Sequence, residues 1–220
     1  MDYCFCVLGW HFYEEFYEQL YRIPGKKRVI CHREREYFAE RPRLFEMLQA
    51  DLHFCANRGL EWGGYHQFIE MKLHEPYEFV IFCHDDIVIK DAGFVAALAE
   101  KFRDPKIKVI GNGRNGADWE FRFGKYKDRM AFEDNDDFIV RTVRGSFFAA
   151  RSDIFAVLGN FPVHWPAKTM KKGNLSLRNF GYAVTKKFGA ESITYLEPER
   201  WLVTRYLIEM QRGEQRVVET

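Results

Sequence analysis

Two adjacent acidic residues, Asp85 and Asp86, follow closely on a run of apolar and aromatic residues at positions 79–83. A short continuous apolar run of this kind is typical of a strand that is buried on both faces of a sheet. The two carboxylates then lie at the carboxyl end of that strand, where open α/β sheets bind their ligands. Adjacent carboxylates repel each other unless a cation or hydrogen bonds compensate, and divalent ions commonly bridge carboxylates to substrate phosphates. The pair therefore indicates a metal and nucleotide-diphosphate site, with a solvated turn as the alternative.

The elements that must position this pair alternate between strand and helix. Apolar periodicity predicts strands over 3–9, 28–31, 52–56, 77–83 and 107–110, and helices over 12–21, 43–50, 65–73 and 92–102. Short connections between such elements predict an α/β fold, with a mostly parallel central sheet flanked by helices on both faces. We expect a single domain over 1–220, with a soft boundary near residue 112 between a ligand-binding half and a less regular half.

The second half is predicted from weaker signals. We expect a loop with short strands over 117–137, a long strand over 142–150 that Gly145 interrupts, and a helix over 154–158. A basic loop over 161–173 carries Lys168, Lys171 and Lys172, and loops of this length are often functional. A helix over 175–188, a strand over 192–196 and a terminal helix over 206–211 complete the prediction.

Composition excludes several classes of protein. The chain has 220 residues with a formal net charge of +1, which gives no general affinity for nucleic acid. No stretch approaches the ~18 apolar residues of a membrane span, and no secretory leader is visible at the start. The five cysteines lack metal-ligand spacing, so we interpret them as buried thiols rather than a zinc site. These features predict a cytoplasmic protein, with a peripheral position at the inner membrane face as the alternative.

Two glycine-rich segments could approach a ligand. Asn57 begins a segment with three glycines, at 59, 63 and 64, which suits close approach of the backbone or a tight turn. Residues 111–116 match the dinucleotide pattern G-x-G-x-x-G, but the following residues lack the apolar helical face that such a site needs. We therefore interpret 111–116 as a ligand-lining loop or a plain turn.

Four segments in this order and spacing resemble a family-2-type glycosyltransferase with the GT-A fold. The first is the amino-terminal strand and helix, and the second is Asn57-x-Gly59 with Gly63-Gly64. The third is the strand that ends in Asp85-Asp86, similar to the family's D-x-D-type motif. The fourth runs from Arg144 to Phe155 and continues through 159–161, similar to a segment with Gly, Arg and Phe at fixed spacing. The resemblance covers residues 3–198.

The resemblance implies a nucleotide-diphosphate sugar donor, a divalent ion (Mn²⁺ or Mg²⁺), and a glycan or lipid-linked acceptor, and it leaves a homo-oligomer open. Asp86 matches the family's metal-binding carboxylate, so the resemblance gives it a catalytic role. Asp85 matches the family's acid near the sugar nucleotide. His84 stands where many members have a further Asp. The remaining predicted site residues are Gly9, Trp10, His32, Asn57 and Gly64 for the nucleotide sugar, Gly145, Lys171, Lys172 and Arg178 on the acceptor side, and His164 as a catalytic residue.

Besides His84, a second departure from the family's pattern concerns the catalytic base. The family usually carries Glu-Asp before a helix that Leu175-Ser176-Leu177-Arg178 resembles, yet no Asp or Glu occurs from 154 to 190. A base could come from Asp118, Asp136, Asp137, Glu191 or His164; alternatively the acceptor is ionised or phosphorylated, or the domain binds without transfer. A sugar-phosphate nucleotidyltransferase ranks last, because the turn after the first strand lacks the Gly-rich, Arg- and Lys-bearing loop of that class.

Overall fold

The computed structural model describes residues 1–113, 120–122, 138–163, 170–197, 200–205 and 208, with the backbone alone at 121–122 and 170–174. Its strands are β1 (Tyr3–Gly9), β2 (Lys26–Cys31), β3 (Leu52–Phe54), β4 (Phe79–His84), β5 (Ile87–Ile89), β6 (Val109–Asn112), β7 (Glu120–Arg122), β8 (Ile139–Arg141), β9 (Phe147–Arg151), β10 (Ile193–Leu196) and β11 (Leu202–Thr204). Its helices are α1 (Glu14–Tyr21), α2 (Pro42–Leu48), α3 (Leu60–Glu70), α4 (Phe94–Lys101), α5 (Asp153–Leu158) and α6 (Met170–Phe188), with short 3₁₀ helices at Arg35–Phe38 and Ala190–Ser192.

A seven-stranded sheet in the order β10-β6-β9-β4-β1-β2-β3 forms the centre of the protein. All neighbouring pairs are parallel except those made by β9, which runs antiparallel to both β4 and β6. Two small antiparallel pairs, β5 with β11 and β7 with β8, lie outside this sheet. The predicted α/β class with a mostly parallel central sheet is confirmed.

Both faces of the central sheet are covered by apolar side chains. Along β1, Phe5 and Val7 belong to one core cluster, while Cys4 and Cys6 belong to the other. The same alternation occurs along β4, because successive side chains of a strand point to opposite faces. The first cluster includes residues of α1, α2 and α4, and the second includes residues of α3, α5 and α6. Burial on both faces explains why these strands have uninterrupted apolar sequences.

Several predicted boundaries differ from the structure. Helix α1 begins at Glu14 rather than at Phe12, because Phe12 has a positive φ of 56°. Helix α3 begins at Leu60, so Gly63 and Gly64 are helical and only Gly59, with φ of 79°, forms the turn. The long strand predicted over 142–150 is wrong: the chain forms β8 and β9, separated by 142–146. Among the described helices, none combines the length and apolar character needed to cross a membrane.

The basic loop predicted over 161–173 does not extend to residue 173. Helix α6 begins at Met170, so Lys171 and Lys172 belong to its first turn and not to a loop. His164 and Lys168 lie outside the described residues, as do Asp118, Asp136 and Asp137. The predicted terminal helix over 206–211 also falls mostly outside them, whereas β11 just before it was not predicted.

Candidate active site

The sheet register brings the predicted nucleotide-sugar residues to one edge. Gly9 pairs with Cys31, the residue before His32, and Leu8 pairs with His84. Cys31 in turn pairs with Phe54, three residues before Asn57. Since β1 to β4 have parallel neighbours, their carboxyl ends all open onto this edge.

Asp85 points into the protein and is only 1% exposed. Its carboxylate accepts hydrogen bonds from three successive backbone N–H groups, those of Trp10 (3.0 Å), His11 (3.2 Å) and Phe12 (2.6 Å). The Tyr17 hydroxyl donates a fourth, longer bond of 3.4 Å. Burial raises the pKa of Asp85, and the N–H bonds from Phe12 and His11 oppose that rise. Asp85, which we predict to lie near the sugar nucleotide, thus bonds the backbone of the turn after β1.

Asp86 lies one residue further along and is 9% exposed. Its backbone carbonyl accepts a hydrogen bond of 2.8 Å from the N–H of Arg205, which follows β11. The His84 ring lies between two carboxylates, with Nδ1 3.8 Å from Asp86 and Nε2 3.5 Å from Glu61. Asp86, His84 and Glu61 therefore form a row along the carboxyl edge of the sheet.

Glu61 is a site residue that the sequence reasoning missed. It lies in the first turn of α3, and its side chain covers Gly145, where an added Cβ would be 2.5 Å from Glu61 Oε1. The Tyr65 hydroxyl, one turn later, donates a 2.6 Å hydrogen bond to the Gly145 carbonyl. One sequence signal could have identified Glu61: it is an acid at the start of the helix after the third strand. That helix begins at the same edge of the sheet as Asp86.

An aromatic and cationic surface flanks the turn after β1. The Trp10 ring is 38% exposed, and the Arg33 guanidinium lies 4.1 Å from the ring centroid while its Nε donates to the Trp10 carbonyl. Tyr37 lies on the same side, with Arg33 5.0 Å from its ring. On the other side of the turn, Arg205 lies 4.1 Å from the Tyr13 ring. An exposed aromatic ring such as Trp10, beside a guanidinium group, suits stacking of a nucleobase.

His32 and Gly64 pack against each other behind this surface. A Cβ at Gly64 would lie 3.0 Å from the His32 ring and would overlap Leu8, so only glycine allows α3 this close to the sheet. His32 Nε2 is buried and has no hydrogen-bond partner among the residues that the structure describes. Burial lowers the pKa of His32 to about 4, so the ring is neutral near pH 7. Both residues line the back of the edge rather than its open rim.

The acceptor-side predictions are only partly placed. Gly145 lies at the same edge as Asp86, because Phe147 of β9 pairs with Cys83 of β4. Arg178 lies in α6, but the side chains of Lys171 and Lys172 are outside the described residues. Glu191 is wrong as a candidate base: it precedes β10, whose first residue pairs with Val109, and this is the edge of the sheet opposite Asp86.

The donor atoms present limit how a metal could bind. Within the described ranges, no group of three His, Cys, Asp or Glu side chains is arranged to hold an ion. Both oxygens of Asp85 already accept N–H bonds, so the other two carboxylates at this edge, Asp86 and Glu61, are the candidates for an ion. Mg²⁺-type ions often bind through one or two carboxylates, with water and substrate phosphates completing the shell. The site therefore fits an ion shared with a substrate, and it does not fit a closed protein cage.

Neither family models nor curated protein sequences match this chain. Its fold is nevertheless similar to solved structures of enzymes. A CMP-2-keto-3-deoxy-manno-octonic acid synthetase in complex with CTP is 12% identical with a TM-score of 0.53, and the match covers 97% of this chain and 98% of that one. Glucosyl-3-phosphoglycerate synthase from Mycobacterium tuberculosis is 10% identical with a TM-score of 0.55, covering 98% and 81%.

A mannosyltransferase from Pyrobaculum calidifontis, in complex with GDP-Man and Mn²⁺, gives a TM-score of 0.52 at 14% identity, with 90% of this chain and 58% of that one covered. The similarity thus extends to both sugar transferases and nucleotidyltransferases, and identities this low establish the fold alone. The chain has the GT-A-like fold that is shared by nucleotide-diphospho-sugar transferases and nucleotidyltransferases.

Proposed function

We propose that this chain is a glycosyltransferase that moves a sugar from a nucleotide-diphosphate sugar to an acceptor. The observation that carries the proposal is the position of Asp86, a carboxylate at the carboxyl edge of the sheet, the same edge as the turn that carries Trp10 and its neighbour Arg33. Two enzymes of similar fold were solved with Mn²⁺ and a sugar nucleotide, one with GDP-Man and one with UDP-glucose. A nucleoside diphosphate would use both the aromatic surface and the carboxylate. Its base would stack on the Trp10 ring, and its phosphates would bind an ion held by Asp86.

Each residue has a separate task in this proposal. Asp86 would hold a divalent ion, and that ion would supply Lewis-acid stabilisation of a leaving diphosphate. Trp10 stacks on the base, and Asn57 lies in the loop after β3 at the same edge. Gly145 and Arg178 border the acceptor side. Lys171 and Lys172, in the first turn of α6, suit an acidic or phosphorylated acceptor.

The turn after β1 argues against the competing nucleotidyltransferase activity. That class binds a nucleoside triphosphate through a Gly-rich loop with Arg and Lys at this position. Here residues 9–13 contain neither Arg nor Lys, and the N–H groups of Trp10, His11 and Phe12 are bonded to Asp85. Backbone donors already satisfied by a buried carboxylate are not available to a triphosphate.

The first test is calorimetric titration with UDP- and GDP-sugars, with and without Mn²⁺, followed by a turnover assay that separates an enzyme from a binding protein. Asp86→Asn should lose the Mn²⁺-dependent part of donor affinity and at least about a hundredfold in turnover, because it loses the charge that holds the ion. Asp91→Asn is the matched control, since Asp91 is exposed and caps Gly93 with a 2.7 Å hydrogen bond. Unchanged turnover in Asp86→Asn would remove the metal claim.

A further inference from the structure

The turn after β1 is held almost entirely by side chains from distant parts of the chain. Its three N–H groups, at residues 10–12, donate to Asp85. Its carbonyls are satisfied as well: Trp10 accepts from Arg33 Nε at 2.8 Å, and His11 accepts from the Tyr37 hydroxyl at 3.2 Å. Every backbone polar group of Trp10 and His11 therefore has a partner that is not its neighbour in sequence.

This arrangement imposes a conformation that the turn would not adopt alone. Phe12 has φ of 56°, in the left-handed region that an aromatic residue rarely occupies. Such a conformation persists only where surrounding contacts over-determine it. Three successive N–H groups that converge on one point form a concave anion site. In this chain the anion is the protein's own carboxylate, so the turn is fixed before any ligand arrives.

Trp10, like its neighbour His11, is an exposed residue of this turn. It is 38% exposed, and Arg33 both covers the ring and bonds the Trp10 carbonyl. The direction of the ring depends on the backbone of residues 10–12, and that backbone depends on Asp85. The next residue, Asp86, lies beside His84, whose Nδ1 is 3.8 Å from the Asp86 carboxylate.

We infer that Asp85 is a positioning residue that builds the nucleoside subsite by fixing the Trp10 turn, whereas its neighbour Asp86 serves the phosphates and the ion. This inference rests on the proposed function, because it assumes a nucleotide ligand. It predicts that two adjacent acids, each changed to the isosteric amide, give different and separable losses of binding.

The test compares Asp85→Asn with Asp86→Asn, using a nucleoside diphosphate and inorganic pyrophosphate as probes, each with and without Mn²⁺. The wild-type protein should bind the nucleoside diphosphate more tightly than pyrophosphate, by roughly 5- to 150-fold if one base stacks on an aromatic ring. Asp85→Asn should lose most of this preference and keep the Mn²⁺ enhancement. Asp86→Asn should keep the preference and lose the enhancement, a split that general destabilisation would not produce.

Two further measurements keep the inference testable if Asp85→Asn folds poorly. Trp10→Ala leaves the Asp85 carboxylate intact and should lose the same nucleoside preference. Amide hydrogen exchange at one or more of residues 10–12 should quicken about tenfold or more in Asp85→Asn, relative to Asp91→Asn, because asparagine keeps only one uncharged acceptor oxygen for the three N–H groups. Retention of the preference in Trp10→Ala, or unchanged exchange in a folded Asp85→Asn, would overturn the inference. Failure of the wild-type protein to bind any nucleotide would instead overturn the proposed function, while exchange still reports on the turn.

Discussion

Acidification should destabilise this protein through His32, whose ring is packed between β2 and α3. Burial lowers the pKa of His32 to about 4 from its usual value of 6.5. His32 Nε2 is buried against α3 and lacks a hydrogen-bond partner among the described residues, so nothing there compensates a positive charge. The folded protein therefore keeps this imidazole neutral over a pH range in which the unfolded chain binds a proton.

The sign and size of the effect follow from proton linkage. Because the folded-state pKa is depressed, the stability that depends on the neutral ring is complete above about pH 6.5 and is lost as pH falls towards 4. One pKa unit corresponds to about 1.4 kcal/mol, so a shift of this size gives a loss of about 3 kcal/mol. This is an upper value, since the ring is not wholly enclosed. His53 and His74 also have lowered pKa values from burial, so the total acid sensitivity includes them.

The measurement is urea unfolding at several pH values between 7.5 and 4.5, for the wild-type protein, His32→Gln and His32→Leu. Subtracting the variant curves from the wild-type curve isolates the titration of His32 from the other histidines. The two replacements differ in polarity but both lack an ionisable group, so they should lose the same pH-dependent part. The reasoning would be refuted if the free energy of unfolding of the wild-type protein fell no faster with decreasing pH than that of both variants.

Three other substitutions test the packing around the site. Tyr65→Phe should lower the free energy of unfolding by about 1–3 kcal/mol in urea titrations, because the buried Gly145 carbonyl loses its 2.6 Å hydrogen bond; an unchanged value would mean that the bond contributes nothing. Gly181→Ala should cost roughly 1–3 kcal/mol despite its better helix propensity, since the new Cβ would overlap the backbone carbonyl of Arg141; a rise in melting temperature would contradict this. Gly145→Ala should leave the melting temperature nearly unchanged, because only the flexible end of Glu61 must move, but it should reduce turnover with acceptor while donor binding is kept. An equal loss of donor binding would place Gly145 elsewhere in the site.

The part of the fold that could be read from the sequence is the part that local patterns determine. Strands β1, β2 and β4 are buried on both faces, so their apolar runs mark them directly. The meeting of Gly9, His32 and Asp86 at one edge then follows from parallel pairing. The direction of the Asp85 side chain does not follow, because its backbone partners lie more than seventy residues earlier in the chain.

The errors have identifiable physical causes. Gly63 and Gly64 suggested a turn because glycine is a poor helix former, but close packing of α3 on Leu8 and His32 requires a residue without a side chain. The short strands β5 and β11 were missed because each contributes only three residues, and each is ordered by pairing with the other. The local propensity of β5 carries no information about β11, because most of the second half of the chain separates the two strands.

The position of β9 has a consequence for how this protein must be made. Strands β4 and β6 do not touch each other in the sheet, since β9 lies between them. A growing chain that has reached residue 112 thus holds both flanking strands with their inner edges open, and unpaired edges invite pairing with other chains. Only when Phe147–Arg151 has left the ribosome can the gap close. Synthesis beyond that strand, rather than completion of the ligand-binding half, should mark the point at which the nascent chain becomes resistant to aggregation and proteolysis.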